Sequence, residues 1–540
     1  MKISSLREEV FENHRVVSHP SQFDASTFSS INSNSDDIMY FPGRNILEEL
    51  VSTAKTYPND YSNGMKSYGS IIRTASTASI VFVNCLITCI CYGVLYNVNT
   101  NGFLDVERGI LGQMLGGVIF AVFAGQPMVI LATTTAMSIY IVIVRGFAVH
   151  ADYPFSKFYS AVGVSASAIL FLMSILGAPW FMKFARTSTE ETMRVFQSTV
   201  RIYNALSAIY SAYKVFVHCW AGNDKGPMHI NNLGSCTPTN TLIIFGLVLS
   251  ATALGFFFNS LRESEYFLWN IRILISNYAI PLAILIPTFV VFFVIQRGHD
   301  IDHNPDLQFH WIEFYDLPAH AYSIAIPLGI PLAFVIFMDH ILVTQNAENP
   351  TNQLTRHHRR HWDLTVLALI NFLLSCFGLP WMTGAMPTTV LQVRALTKIY
   401  KDKVPKNKKI TETRLATLFG HLSIIPMYLL LTPYLKAIFS FSVAHAFFAL
   451  ISSLAIVGTP FWSRLLLLLS DSPKRRRLDS LFTLVELVQM VMLIVVSIFP
   501  NHWVRLSYPC ILLGVMVFRE LVLPKLLNQE ALDALDAQRN

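Results

Sequence analysis

From Ile71 almost to the C-terminus, apolar runs succeed one another with only short polar interruptions. A hydrocarbon core about 30 Å thick takes roughly 20 residues of helix to cross. Runs of that size begin near Ser76, Ile110, Tyr159, Thr239, Ala279, Ala321, Leu364, Leu415, Val443, Leu481 and Leu506. A more polar run, residues 191–217, also spans if it packs inside a bundle. Segments 127–144 and 382–396 are too short or too broken for ordinary spans, and with them the count is about fourteen. Ahead of the runs, residues 1–42 are rich in Ser, Asn and Asp and read as a disordered cytoplasmic tail. Residues 43–73 carry Ile46, Leu47 and Leu50 on one helical face, then a Tyr57-Pro58 break, which suits an amphipathic segment on the membrane face. The transmembrane domain is expected over 74–525, with a short cytoplasmic tail at 526–540.

Composition narrows the class. The 540 residues are 53% hydrophobic and only 14% charged, with mean hydropathy +0.46, where soluble domains carry about 25% charged residues. An all-α polytopic membrane protein is the reading. A net charge of +6 is too dilute for a nucleic-acid footprint, so no nucleic-acid partner is expected. The 7 cysteines make no disulfide framework. Cys219 and Cys236 bracket one loop and are either an extracellular disulfide or two unrelated thiols. No phosphate loop of the Walker type and no N-terminal signal peptide is present.

Loop charges orient the bundle. Basic residues crowd 346–362, 397–414 and 471–477, whereas 299–316 holds Asp300, Asp302, Asp306, Glu313 and Asp316 with no Lys or Arg. Positive loops stay cytoplasmic. An even number of spans then puts both termini on the cytoplasmic side. Lys474 to Arg477 is expected to be an anchor at that face, and Trp180, Trp362, Trp381 and Trp503 read as interfacial aromatics.

The two broken segments are the candidate site. Irregular backbone at membrane depth is tolerated only where it lines a protein cavity, and half-helix N-termini there present free N–H groups to an anion. In Gly125-Gln126-Pro127, residues 129–131 read as a short extended run, and Thr133, Thr134 and Thr135 can cap the helix that follows. In the second segment Gly378 and Pro380 break a helix, Thr383 and Gly384 follow, and Pro387 with Thr388 suits a first turn. The competing reading is a pair of kinks in plain helices. Asp339 lies deep in an apolar run and reads as a cation or proton site. Its competing reading is a carboxylate at a helix end, since polar residues resume at Thr344.

At these residues the sequence resembles the bicarbonate transporter family, which includes anion exchangers, sodium–bicarbonate cotransporters and borate exporters. The resemblance runs from about Gly43 to Leu523. Its motifs are Gly125-Gln126-Pro127, the stretch from Phe184 to Glu191, Phe337-Met338-Asp339-His340 with Gln345, His361-Trp362-Asp363, Gly378-Leu379-Pro380-Trp381, and Glu412 with Arg414. It implies two inverted repeats of seven spans, a core and a gate domain, a homodimer and elevator-like alternating access. The implied substrate site is Thr133, Thr134, Thr135, Thr383, Gly384 and Thr388, with Asp339 for the coupling ion.

The implied function is secondary active transport of a small inorganic anion, borate or bicarbonate, exchanged for chloride or coupled to Na+ or H+. The plasma membrane is the implied location, and neither a cofactor, a resident metal nor enzymatic activity is expected. Animal exchangers place an Arg where Thr388 stands, and the proline usual at the first break is absent. Animal members also carry a large soluble N-terminal domain, which is not expected from about 70 residues ahead of the first span. The alternatives are a transport-inactive scaffold or sensor, or a sulfate or nucleobase permease of related fold. A membrane enzyme using the histidines within 356–361 is a third, against a basic anchor there.

Overall fold

The computed structural model describes residues 43–184, 187–220, 238–295, 310–349, 352, 354, 358–398, 409–469 and 477–526. The tail at 1–42, the acidic stretch 300–306, the basic stretches 399–408 and 471–476, His357, Cys236 and the Cys219 side chain lie outside them.

The chain opens with α1 (Arg44–Met65), which continues through Tyr57-Pro58 where the sequence predicts a break. Contacts on both sides of the proline hold it. Tyr57 donates to the Val122 carbonyl at 3.1 Å, and Asp60 takes the Arg414 guanidinium at 2.6 Å. Pro58 costs a backbone hydrogen bond, and tertiary contacts outweigh that cost.

A first run follows: α2 (Tyr68–Asn99), α3 (Val106–Phe123), β1 (Leu131–Ala132) leading into α4 (Thr135–His150), α5 (Phe155–Ile175), α6 (Thr187–Trp220), α7 (Pro238–Ser260) and the bent pair α8 (Trp269–Asn277) and α9 (Ala279–Val290). A second run repeats the order. It comprises α10 (Ala319–Ala347), α11 (Arg360–Cys376), β2 (Thr383–Gly384) leading into α12 (Met386–Leu396), α13 (Leu415–Leu422) with α14 (Ile424–Ile438), α15 (Phe441–Val457) bent into α16 (Pro460–Leu469), α17 (Arg477–Ile498) and α19 (Tyr508–Leu521), with the short α18 (His502–Arg505) before the last.

Among the described residues, 8 helical segments are long and apolar enough to cross a membrane, and the two bent pairs add 2 more. α6, which is too polar, α11, which is short, and the half-helices α4 and α12 fill the remaining places of the fourteen. Local sequence sets these boundaries. Ser67 and Asp105 cap α2 and α3 by accepting the N–H groups of Ser70 and Arg108. Gly378, at φ 60°, ends α11, with its N–H on Ser375 and that of Leu379 on Leu374.

The helices form two packed groups. In the core group α5 lies against α10 and α11, and α2 against α3 and α13. In the gate group α15 lies against α6 and α7, and α17 against α6. Trp381, expected at an interface, is instead fully buried, stacked 4.1 Å from Tyr159 and donating to Ser375 Oγ. Stacking and a satisfied indole N–H make burial favourable here. Trp180 and Trp503 are exposed.

Candidate functional site

The two breaks meet. Leu131 of β1 pairs antiparallel with Gly384 of β2, and Ala132 with Thr383. Thr389 Oγ1 accepts the Ile130 N–H at 3.1 Å, and Ala385 N–H donates to the Ile130 carbonyl at 2.8 Å. Gln113 of α3 satisfies the Leu131 carbonyl at 2.8 Å. Extended backbone at this depth is therefore hydrogen-bonded within the protein, as a hydrocarbon surrounding demands. Gly384 is required by proximity, because a Cβ there would lie 2.9 Å from Val343 Cβ on α10.

Immediately after each strand a half-helix begins, α4 at Thr135 and α12 at Met386, with Pro387 in the first turn. The first N–H groups of any helix have no partner inside it, so two positive helix ends start beside this strand pair. They open on a cavity of about 430 Å³. Of the residues expected at the site, Thr133, Thr134, Gly384, Thr388 and Asp339 line that cavity. Thr135 and Thr383 do not line it. Thr135 Oγ1 is 3.0 Å from the Tyr92 hydroxyl and 2.8 Å from Arg201 Nη1, and Thr383 donates to the Ile336 carbonyl at 3.1 Å. Both hydroxyls are spent on holding the breaks in place.

Asp339 sits within α10, eight residues before its end at Ala347, and is 5% exposed. Its Oδ2 accepts from Thr134 Oγ1 at 2.9 Å and its Oδ1 from Gln197 Nε2 at 2.7 Å. The carboxylate is thus held by neutral donors. Thr134, at the N-cap position of α4, makes no capping bond because its hydroxyl serves Asp339.

One helix was not anticipated at the site. Glu190, Arg194, Gln197 and Arg201 of α6 all line the cavity. Their spacing of i, i+4, i+7 and i+11 puts them on one helical face. The polarity of this segment was visible in the sequence, and the reasoning that singled out Asp339 applies equally to an arginine mid-way along a spanning helix. Arg194 and Glu190 pair at 2.5 Å. Where Thr388 stands in place of the exchangers' arginine, α6 thus brings two arginines, Arg194 and Arg201, to the same cavity.

Gly125-Gln126-Pro127 has a structural role. The N–H groups of Gly125 and Gln126 donate to Asp363 Oδ1 at 2.5 and 3.2 Å, and Gln392 and Thr417 donate to the Pro127 carbonyl. The histidines weighed for catalysis are engaged in ion-pair geometry, His358 with Glu348 at 2.5 Å and His361 with Glu49 at 3.2 Å. No group of three or more His, Cys, Asp and Glu side chains suited to a metal occurs among the described residues.

The profile of the HCO3- transporter integral membrane domain matches residues 42–229 and 219–540. This chain belongs to the HCO3- transporter family. Among its relatives, human solute carrier family 4 member 11 is 27% identical over 92% of this chain and 62% of that protein. The rat electrogenic sodium bicarbonate cotransporter 4 is 21% identical over 86% of this chain and 48% of that protein. The chain thus spans less than two thirds of these relatives. A Schizosaccharomyces pombe protein named as a transporter is 20% identical over 92% of this chain and 96% of its own length. The fold of this family member resembles the transmembrane domain of the cyanobacterial bicarbonate transporter BicA, with TM-score 0.52, 15% identity, and coverage of 79% of this chain and 98% of that one. It also resembles the murine solute carrier 26 family member A9 anion transporter, with TM-score 0.52, 12% identity, and coverage of 94% and 77%.

Proposed function

We propose that the chain moves a small inorganic oxyanion, borate or bicarbonate, through the cavity between α4, α6, α10 and α12, either in exchange for chloride or together with Na+ or H+ taken at Asp339. One observation carries this reading: two half-helix N-termini converge on a cavity that also holds a buried carboxylate bonded only to neutral groups. Helix N-termini favour anions. A buried carboxylate whose hydrogen bonds come only from neutral donors favours a cation or a proton. Thr133, Thr134, Gly384 and Thr388 would line the anion's path, with Thr135 and Thr383 supporting them.

Membership of a transporter family and a named sodium bicarbonate cotransporter among the relatives support the same reading. The packing of the helices into two groups suits elevator-like movement of the core against the gate in a plasma-membrane homodimer with cytoplasmic termini.

The test is flux into proteoliposomes holding the purified protein, with borate and bicarbonate offered separately, each with and without a sodium or pH gradient. One of the two ions is expected to move, and Asp339→Ala is expected to abolish that flux. Wild-type protein that moves neither ion would sink the proposal.

A further inference from the structure

Arg201 is 8% exposed at the wall of the cavity. Its guanidinium donates to three hydroxyls: Nε to Ser452 of α15 at 2.9 Å, Nη1 to Thr135 at 2.8 Å and Nη2 to Ser198 at 3.0 Å. A guanidinium has five N–H donors, so two remain beyond these bonds. Among the described residues no carboxylate lies within the 4.0 Å of an ion pair with it, although Asp339 is near enough to attract it. A buried charge satisfied only by neutral groups is costly.

The position raises that cost. Thr135 is the first residue of α4, so the guanidinium stands at the positive end of a half-helix, where a cation is disfavoured. A further cation, Arg394, lines the cavity from the last turn of α12. The ionisable lining is Glu190 and Asp339 against Arg194, Arg201 and Arg394, an excess of one positive charge. All three features are relieved by one event, the arrival of a single negative charge beside α4.

We propose that Arg201 is the anion-binding cation of this cavity, and that it takes a small monovalent oxyanion between its two spare N–H groups and the N-terminus of α4. The inference rests on the transport reading above and deepens it by naming the residue that holds the anion and the charge it carries. The arginine belongs to the gate group, whereas the half-helix belongs to the core, so the anion is bound across the boundary between them. Thr388 then need not replace a cation on α12, because the cation comes from α6.

The experiment compares full-length wild type, Arg201→Gln and Arg201→Lys by flux in proteoliposomes and by anion-dependent protection against heat in detergent, with sodium borate and sodium bicarbonate as the probes. Loss of one charge-assisted contact predicts a KM for the anion raised roughly ten- to a hundredfold in Arg201→Gln. Arg201→Lys is expected to lie between, because it keeps the charge and loses the fork. Protection by the anion is expected in wild type and absent in Arg201→Gln at the same concentrations.

Wild-type flux together with unchanged KM and unchanged protection in Arg201→Gln would overturn the assignment. A purely structural arginine would lower heat stability equally with and without anion, which overturns it as well. Should Arg201→Gln not fold, Arg201→Lys decides, and a half-protecting concentration equal to that of wild type counts against the proposal. If wild type moves neither ion, the transport reading has failed. Anion protection that depends on Arg201 would then still establish the binding site.

Discussion

Val343 leaves no room beside Gly384 for even one methyl group, since the two Cβ positions would stand 2.9 Å apart. Gly384→Ala is therefore expected to push β2 from α10 and to lower both flux and heat stability. Val343→Ala in the same chain is expected to restore most of both, a non-additive result that thermal unfolding and flux of the single and double variants would reveal. Arg414 and Asp60 make a second test, as both side chains are fully buried and 2.6 Å apart. Asp60→Ala strands a cation and is expected to cost about 3–5 kcal/mol, read as a lower unfolding midpoint. Asp60→Ala with Arg414→Met is expected to recover much of that loss. Asp339 was legible in the sequence because a carboxylate in an apolar run stands out. Arg201 stands out less, because Glu190, Arg194 and Gln197 share its helix face and its three hydroxyl partners come from α4, α6 and α15.

The half-helices were legible as elements. Gly378 and Pro387 mark an end and a beginning by backbone geometry alone. α1 was legible only as a helix, because what holds it is remote in sequence: Asp60 and Arg414 are 354 residues apart. Glu49 makes another such contact, accepting the Trp362 N–H at 2.8 Å. Burial pushes the Glu49 carboxyl up to about 7, with Asp363 adding to the rise and the Trp362 N–H opposing it. A carboxyl that keeps its proton when docked stabilises docking fully below its ordinary value of 4.5, and that contribution is lost as pH climbs through about 7. The protection of the α1 amides against hydrogen exchange, taken relative to their intrinsic rates, is expected to fall between pH 5 and pH 8. Glu49→Gln is expected to flatten the dependence, and an identical profile in that variant would rule Glu49 out.

The division into core and gate could not be read from one-dimensional periodicity, because it depends on which apolar faces meet. It has a mechanical corollary under the proposed transport cycle. Tyr92 of the core and Phe448 of the gate touch, with ring centroids 4.9 Å apart. Cysteines at those two positions, in a background without other thiols, are expected to stop flux when joined by a short bifunctional maleimide. The core pair Ser165→Cys with Ala325→Cys, on neighbouring helices, is expected to tolerate the same linker. Flux that survives the first linkage would count against relative movement of the two groups. The strand pair at the centre of the core also governs how the chain must be assembled during synthesis. Ile130 waits for Thr389, 259 residues later, and at ribosomal speed that interval is on the order of tens of seconds. Through that time β1 has an open edge inside the bilayer, where water cannot cover it. The first repeat is thus an unfinished half whose maturation is timed by the second, and truncation beyond α9 would leave a client for quality control.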